Sequence, residues 1–323
     1  MFESQYPHHQ SQITLAALLR EQQRKWSWNK CREVIASGRV SVGGEIIRDP
    51  VRRFPPGTVV EVSSAAPAPH ADPATFPDIH VYHHDSHLIV VEKPPGIDSV
   101  PFTTRDAARH HDQPATLVDL ARRWLESQAR KKLPPLRVVH RIDKGTSGIL
   151  VFARTAAAEK ELATQFHQHS VQRRYVAICA GKVSSGTIRS VIAPDRGDGY
   201  RGSIHNKAAG KEAITHVKCL ESCEDSRGQW HSLVECRLET GRTHQIRIHL
   251  CEAGHPLCGD KVYRRPRRGD ADRPDDSGAS RLALHAAELG FFHPVSSKEM
   301  IFKSVFPEDL ARCWKSLGGR TTP

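Results

Sequence analysis

The sequence predicts an α+β protein with two domains: a small α/β N-terminal domain, and a larger domain in which helices flank a mixed, largely antiparallel sheet. Three observations support this fold class. Helical and strand-like apolar patterns intermix along the chain without a repeated strand–helix–strand order. The stretch SAAPAPHADPATFPD (64–78) interrupts both patterns and has the composition of a linker. The length of 323 residues suits one large domain and one small domain.

The domain organisation follows from where periodicity begins and ends. We expect a disordered tail over residues 1–11, a small domain over 12–66, a linker over 67–78 and the large domain over 79–315. The tail is polar and has no periodicity, and the linker is rich in Pro and Ala.

The small domain is predicted to contain two helices, a hairpin and a closing strand. Leucines at helical spacing in LAALLR (15–20) predict the first helix. Ser27 is placed to cap the second helix, and Gly38 is placed to end it. The alternation in RVSVGGEII (39–47) around a Gly-Gly turn predicts a hairpin, and FPPGTVVEV (54–62) predicts a turn and a closing strand.

The large domain alternates between strands and helices. Two short strands are predicted around the polar turn of HVYHHDSHLIVVEKPPG (80–96), and strands are also predicted in RRYVAICAG (173–181) and HSLVECRLE (231–239). Helices are predicted for TLVDLARRWLESQ (116–128) with Thr116 as its cap, for KELATQFHQH (160–169) after a cap at Thr155, and for THQIRIHLCEAG (243–254).

One turn of the large domain holds a carboxylate in a basic setting. HRIDKGTSG (140–148) lies between two apolar runs, so a strand, a polar turn and a second strand are expected. Asp143 is flanked by Arg141 and Lys144, and the glycines of the motif permit a close approach of the backbone. An aspartate at such a position is usually a turn former. The motif lacks the spacing of a phosphate-binding P-loop.

Charge and composition narrow the class of partner. The formal net charge is +11, which favours a polyanionic partner such as nucleic acid. The eight cysteines follow no zinc-binding spacing, and we interpret them as reduced thiols of a cytoplasmic protein. The histidine pairs lack matching acidic or thiol partners, so no metal site is expected. No apolar run is long enough to span a membrane, and we expect no membrane partner.

Five stretches of the large domain resemble the RluA-type family of ribosomal and transfer RNA pseudouridine synthases. HRIDKGTSG resembles the active-site motif of that family, and the other four match in the same chain order. They are DSHLIVVEKPPG (85–96), QRRYVAICAG (172–181), LETGRTHQIRIHLCEAGHPLCGDKVY (238–263) and RLALHAAELGFFHP (281–294). Together they extend from about residue 80 to residue 310, and the resemblance implies the fold of a pseudouridine synthase catalytic domain.

The small domain resembles the S-four-type RNA-binding domain, which was first seen in a small-subunit ribosomal protein. Two features depart from the usual pattern: the hairpin turn is Gly43-Gly44 instead of Asn-Gly, and the second helix opens with Ser27-Trp28 instead of Ser-Arg. The resemblance implies contacts with RNA, and the basic residues near the second helix are the candidates for them. These residues are Lys30, Arg32 and Arg39.

The resemblance implies a reaction and a set of catalytic residues. Such enzymes detach uracil from its ribose and rejoin the two through carbon 5 of the base. Asp143 matches the catalytic aspartate, and Arg247 matches the arginine that holds it ionised and directs it through a forked hydrogen bond. Arg242 is the second choice for this partner, and a phosphate contact is the more natural role for it. Tyr175 matches the tyrosine that lies against the uracil.

Other residues have supporting roles in this interpretation. Arg141 matches the arginine near the position that the flipped base leaves. Lys93 either supports the site or contacts phosphate, and an ordinary exposed lysine is the alternative. His140 and His244 are expected to be structural or hydrogen-bonding residues, because the reaction needs neither a metal nor another cofactor.

Two further interpretations stay open at this stage. A catalytically silent RNA-binding or ribosome-assembly protein would also be basic, although it would have no reason to retain Asp143, Tyr175 and Arg247 together. Within the enzyme interpretation, the small domain favours large-subunit ribosomal RNA as the substrate, and transfer RNA is the alternative. We expect a monomer, and the basic loop at 264–280 is a place where substrate choice could differ.

Overall fold

The computed structural model describes residues 13–47, 49–64, 79–101, 115–197, 199–266, 270–271, 274–321 and 323. The predicted tail (1–11) and the predicted linker (67–78) lie outside these described residues. The described residues fall into two compact units: those from 13 to 64 form the first, and those from 79 to 101 and from 115 onwards form the second.

The first unit contains two capped helices and short strands. Its elements are β1 (Ile13–Thr14), α1 (Leu15–Gln22), α2 (Trp28–Ala36), β2 (Val40–Val42), β3 (Glu45–Ile46), β4 (Arg53–Phe54) and β5 (Glu61–Val62). Strand β2 pairs with β3 in the predicted hairpin and with β5 on its other side, while β1 pairs with β4. The side chain of Ser27 accepts a hydrogen bond from the backbone N–H of Lys30 at 3.2 Å, so Ser27 caps α2 as predicted.

The second unit is built on one large sheet with helices on both faces. Its strands are β6 (Val81–His84), β7 (Leu88–Lys93), β8 (Arg137–Val138), β9 (Ser147–Ala153), β10 (Gln172–Ala180), β11 (Gly186–Ala193), β12 (Gly202–Ser203), β13 (Lys211–Glu224), β14 (Trp230–Leu238), β15 (Leu284–Phe292) and β16 (Glu299–Lys303). Its helices are α3 (Leu117–Ala129), α4 (Ala156–His167), α5 (Gln245–Glu252) and α6 (Glu308–Ser316). Thr116 and Thr155 cap α3 and α4 as predicted.

The order of the sheet confirms the predicted fold class. The strands run β12-β11-β13-β14-β10-β15-β9-β7-β6, with β16 paired to β15 and β8 paired to β9. Within the described residues, β9 and β15 form a parallel pair and the other pairs are antiparallel. The sheet is therefore mixed and largely antiparallel.

Both faces of the sheet are covered around β7. Ile89 and Val91 belong to the same buried cluster as residues of α3, whereas Leu88 and Val90 belong to the cluster that contains residues of α4. Alternate residues of a strand point to opposite faces, so an uninterrupted apolar run is expected where both faces are buried.

The start of α5 and the end of the second unit differ from the predicted boundaries for reasons that the structure shows. Helix α5 begins at Gln245 instead of Thr243, because His244 has a left-handed backbone (φ 60°) that cannot continue a right-handed helix. The second unit also continues beyond residue 315, where we expected the domain to end. Leu317 is only 4% exposed and packs into the cluster that holds the buried residues of α6.

Gly148 allows a close backbone approach between β9 and β15. It pairs with Ala286 in the parallel ladder and has a φ of +119°. A Cβ atom at this position would lie 2.2 Å from the carbonyl oxygen of Ala286. The glycine of the predicted motif is therefore required by both the backbone conformation and the available space.

We expect Gly148→Ala to lower the free energy of unfolding by about 2–4 kcal/mol, since it adds backbone strain and a clash with a carbonyl group. Gly96→Ala is the matched control, because Gly96 also has a positive φ (88°) but has no atom within 4 Å of an added Cβ. It should cost about 1–2 kcal/mol. Denaturant unfolding monitored by circular dichroism measures both changes, and equal losses for the two variants would contradict the proposed clash.

Candidate active site

Asp143 lies on a segment that is fixed on both sides by one loop. The hydroxyl of Ser99 donates to the carbonyl of Ile142 at 2.8 Å and accepts from its N–H at 3.3 Å. On the other side, the N–H of Gly96 donates to the carbonyl of Lys144 at 2.8 Å. The backbone on each side of Asp143 is thus held in place, which limits the positions that its carboxylate can take.

Lys93 supports this segment from within the core. It is 0% exposed, and its Nζ donates to the carbonyl oxygens of Pro94, Ile97 and Lys144, each at 2.9 Å. Burial lowers the pKa of Lys93 to about 7, although nearby carboxylates oppose this shift. The expectation that Lys93 contacts RNA is therefore wrong, because its ammonium group is enclosed and already bound to three carbonyl groups. The other expected role, support of the site, agrees with these contacts.

Arg247 brings α5 into contact with Asp143. Its Nη1 donates to Oδ2 of Asp143 at 3.3 Å, as expected for the predicted partner. The forked hydrogen bond, however, goes to a different acid: Nε and Nη2 donate to the two carboxylate oxygens of Asp260 at 2.7 and 2.8 Å. The predicted fork to Asp143 is thus corrected to a single contact, because two of the three nitrogen atoms of the guanidinium face Asp260.

Asp260 is a residue of this site that the sequence interpretation missed. It is 1% exposed and also accepts hydrogen bonds from the backbone N–H groups of Val262 and Tyr263. Burial opposes its ionisation, but Arg247 and these N–H groups hold its pKa below the usual value. Burial likewise opposes the charge of Arg247, yet Asp260 and then Asp143 raise the pKa of its guanidinium above the usual value. The available signal was an acid in the matched stretch CGDKVY.

The polar residues before Arg247 anchor the start of α5. The side-chain oxygen of Gln245 accepts from the hydroxyl of Thr240 at 2.8 Å and from the N–H of Arg242 at 3.0 Å. Its amide nitrogen donates to the carbonyl of Ile214 on β13 at 3.0 Å. The helix is therefore tied to the sheet next to the position from which Arg247 reaches Asp143.

Tyr175 lies on β10, between β14 and β15. It pairs with Cys236 and Ala286, and the pairing with β15 shifts its register just before Tyr175. The side chain is almost entirely buried, and burial raises the pKa of its hydroxyl to about 12. The phenol is therefore protonated at neutral pH.

A cleft of about 600 Å³ brings together the predicted residues of the second unit, with the exception of the buried Lys93. Asp143 is the one acid among the described residues that line it. The predicted residues in the lining are Asp143, Tyr175, Arg247, Arg141 and Arg242. Arg173 and Lys211 add further positive charge. A single carboxylate thus faces a basic cleft, which suits a polyanionic ligand.

Arg242 does not compete with Arg247 for Asp143. Its Nε donates to the carbonyl of Glu212 at 2.8 Å, and its side chain reaches the cleft. Arg141 also lines the cleft and is exposed. Both arginines thus add positive charge to the lining of the cleft.

The three basic candidates of the first unit are partly exposed. Nζ of Lys30 lies 3.6 Å from a carboxylate oxygen of Glu33. The guanidinium carbon of Arg32 lies 5.8 Å from the ring centre of Trp28, and Nε of Arg39 donates to the carbonyl of Ser63 at 2.7 Å. These residues belong to a unit separate from the one that holds the cleft.

His140 has the structural role that we expected. Its Nε2 accepts a hydrogen bond from the N–H of Val151 at 3.1 Å, and its ring stacks on Phe166 at 4.5 Å between ring centres. Burial lowers the pKa of His140 to about 3, so the ring is neutral.

Two other kinds of site are absent from the described part of the chain. There, no group of three or more His, Cys, Asp or Glu residues is arranged to hold a metal ion. None of the helices described has both the length and the apolar character needed to cross a membrane.

Comparisons with known proteins point to one family. The sequence profile described as RNA pseudouridylate synthase matches residues 87–252. Ribosomal large subunit pseudouridine synthase D of Zymomonas mobilis is 36% identical over 300 residues, which cover 90% of this chain and 89% of the relative. The protein of the same name from Xylella fastidiosa is 35% identical over 317 residues, covering 93% and 88%.

A solved structure shares the fold. The structure of human RNA Pseudouridylate Synthase Domain Containing 4 superposes with a TM-score of 0.59 at 21% identity, covering 75% of this chain and 94% of the other.

Proposed function

The chain belongs to the RNA pseudouridylate synthase family, and we propose that it isomerises uridine in RNA with Asp143 as the catalytic carboxylate. Membership confirms the resemblance found in the sequence and makes this protein an RNA pseudouridine synthase, an isomerase. The observation that carries the proposal for Asp143 is its position as the one acid among the described lining residues of a basic cleft.

The chemistry needs an ionised carboxylate next to a ribose. Asp143 would either attack the anomeric carbon or remove a ribose proton, and both steps require the charged form. The contact from Arg247 at 3.3 Å stabilises a negative charge at this position. Uridine and pseudouridine are isomers, so the reaction needs no electron donor or group donor, and we propose no cofactor.

Tyr175 and Arg141 would act on the base. The target uridine must leave its stack before its ribose can reach Asp143, and Arg141 is placed in the cleft to fill the gap. Tyr175 would then lie against the uracil. Because burial raises the pKa of its hydroxyl to about 12, Tyr175 would meet the base as a neutral phenol.

We propose large-subunit ribosomal RNA as the substrate. Two relatives that cover most of this chain are named as synthases of the ribosomal large subunit. The first unit, if it binds RNA as its S-four-like sequence suggests, would help to align the enzyme on a large folded RNA. We also propose a cytoplasmic location, which agrees with the absence of disulfide bonds among the eight cysteines, all of which are described.

The substrate can be tested with purified protein and two classes of transcript. Large-subunit ribosomal RNA and transfer RNA would be incubated separately with the enzyme, and pseudouridine would be quantified by nucleoside analysis. We expect conversion in the ribosomal RNA. Conversion in transfer RNA alone would contradict the proposed substrate while leaving the reaction class intact, and conversion in neither would contradict the proposed activity.

The first unit is predicted to supply phosphate contacts. Replacing Lys30, Arg32 and Arg39 together by Ala should weaken binding to the ribosomal RNA. It should also reduce the magnitude of the slope of log affinity against log salt concentration by about 2. The reason is that each phosphate contact releases somewhat less than one counterion, and three such contacts would be lost. The measurement is a titration of RNA binding at several salt concentrations.

Arg52→Ala is the control for this triple variant. The guanidinium of Arg52 is bound to both carboxylate oxygens of Glu45, at 2.6 and 3.0 Å, so its loss should leave the slope unchanged. An unchanged slope and affinity for the triple variant would mean that these residues do not bind the RNA.

A further inference from the structure

His244 has an unusual backbone at the edge of the active site. It adopts a left-handed conformation (φ 60°) immediately before α5, and its ring lines the same cleft as Asp143. Such a conformation is uncommon for residues other than glycine, and it is concentrated at functional sites because it costs free energy. The imidazole therefore lines the cleft and does not lie on the surface of α5. Its side chain is 30% exposed.

Tyr263 contacts the Nδ1 side of the imidazole of His244. Its hydroxyl oxygen lies 2.7 Å from Nδ1 of His244, and the two rings meet edge to face at 5.4 Å between centres. Tyr263 is itself fixed, because its backbone N–H donates to Asp260 and its ring packs against the guanidinium of Arg247 at 4.9 Å. The histidine and the arginine that approach Asp143 are therefore anchored to the same buried carboxylate.

The contacts of its two ring nitrogens favour one tautomer of His244. The phenol is 5% exposed and its pKa is raised by burial, so it keeps its proton, and its hydroxyl can either donate to Nδ1 or accept from it. We infer that it donates, because Nε2 on the other side of the ring faces the carboxylate of Asp143. Nε2 then carries the ring proton. In the opposite tautomer the lone pair of Nε2 would face a carboxylate, which is electrostatically unfavourable.

Nε2 of His244 faces the free oxygen of Asp143. The distance from Nε2 to Oδ1 is 3.9 Å, while Nη1 of Arg247 contacts the other oxygen, Oδ2. We propose that His244 is a positioning residue, which uses its Nε2–H to orient the Asp143 carboxylate for attack on the ribose. This inference rests on the proposed role of Asp143.

Burial keeps the ring of His244 neutral, although charges of both signs surround it. Asp143 and Asp260 favour the protonated ring, whereas burial, Arg247 and Arg201 oppose it. Burial is the largest effect and lowers the pKa of His244 to about 4. At physiological pH, His244 is therefore a neutral hydrogen-bond donor, and Arg247 is the positively charged partner of Asp143.

The gap of 3.9 Å is longer than a hydrogen bond. Catalytic hydrogen bonds are often long before the substrate binds and shorten in the complex. When a flipped uridine fills the cleft and displaces water, a closure of about 1 Å would bring Nε2 within hydrogen-bond distance of Oδ1. The carboxylate would then be held at both oxygens, with a remaining lone pair directed at the ribose.

The test compares two substitutions of equal length. His244→Gln retains an N–H donor near the position of Nε2, while His244→Met removes it, and both variants bear the same left-handed backbone. We expect His244→Met to lower kcat by about 100-fold, since a misplaced catalytic group costs on this order, with KM and RNA affinity little changed. His244→Gln should recover at least about tenfold of this loss.

Tyr263→Phe tests the anchor without removing the histidine. It deletes only the hydroxyl, and we expect kcat to fall about tenfold because the ring of His244 loses its fixed orientation. Nitrogen NMR of the labelled histidines should report a protonated Nε2 for His244 in the wild type, and a protonated Nδ1 with a bare Nε2 would contradict the proposed donor. This readout is independent of turnover.

The outcomes separate this inference from the proposed function. If Asp143→Asn is inactive but His244→Met retains wild-type kcat, the positioning role is wrong and the catalytic aspartate stands. Equal activity of His244→Gln and His244→Met, both reduced, would also contradict the role of the donor. If Asp143→Asn is active, the catalytic role proposed for Asp143 is wrong, and the positioning role of His244 that rests on it is wrong as well.

Discussion

Asp143→Asn is expected to lower uridine isomerisation by about 10⁴-fold or more, because a positioned nucleophile or base contributes on this order. Asparagine retains the shape of the side chain but can neither attack the anomeric carbon nor accept a ribose proton. RNA affinity should change little, since the basic residues of the cleft are untouched. Tritium release from RNA labelled at carbon 5 of uridine measures the loss.

Asp98→Asn is the matched control for this substitution. Asp98 is close in the chain and contacts Lys144 at 3.5 Å, but it is not one of the described residues that line the cleft. Its variant should retain most of the activity. Substantial turnover by purified Asp143→Asn, or an equal loss in both variants, would contradict the assignment of Asp143.

Arg247→Ala should reduce turnover by about 10²–10³-fold, which is typical of the loss of one fixed electrostatic contact in an active site. Arg242→Ala should change turnover far less, because its Nε contacts a backbone carbonyl and not Asp143. Removal of Arg247 takes away the charged partner of Asp143 and leaves Asp260 buried without its counterion. Single-turnover rates on the same RNA, at saturating enzyme, compare the two variants.

The stability of Arg247→Ala must be measured in parallel, because an unpaired buried carboxylate costs about 3–5 kcal/mol. Arg247→Lys addresses this, since it keeps a positive charge beside Asp260 but cannot donate to both acids in the same geometry. A folded Arg247→Lys protein should still be strongly impaired. If Arg242 variants lose more activity than Arg247 variants, Arg247 is not the functional partner of Asp143.

Local signals in the sequence were sufficient for most of the fold. Thr116 and Thr155 were identified as helix caps because an N-cap is a short-range pattern, and the structure confirms both. The hairpin at 39–47 was recognised from alternation around two glycines. The order of helices and strands along the chain was enough to predict a mixed, largely antiparallel sheet. The register of its strands could not be predicted, because it depends on pairing between segments that are far apart in the sequence.

Which residues are partners within the site could not be predicted from local patterns, because the partners come from distant segments of the chain. Arg247 and Asp143 are 104 residues apart, and their pairing was inferred from family resemblance. The fork to Asp260 could not be inferred, because nothing local distinguishes an acid that binds an arginine from one that forms a turn. The left-handed backbone of His244 has no local signal in the sequence either. Because of it, α5 begins at Gln245 instead of Thr243.

The burial of Lys93 could have been predicted from the sequence. Lys93 shares the parity of Ile89 and Val91 in β7, so strict alternation directs it to the same buried face. A lysine there must find acceptors, and three carbonyl groups supply them. Of the two roles expected for Lys93, support of the site agrees with this burial and contact with phosphate does not.

The most direct test of the central claim is to map pseudouridines in cells that lack the gene and in the same cells supplied with wild-type or Asp143→Asn protein. We expect one or more positions in large-subunit ribosomal RNA to lose the modification in the deletion strain. Wild-type protein should restore them, and Asp143→Asn protein at equal abundance should not. Restoration by Asp143→Asn, or no lost position in any RNA, would contradict the account.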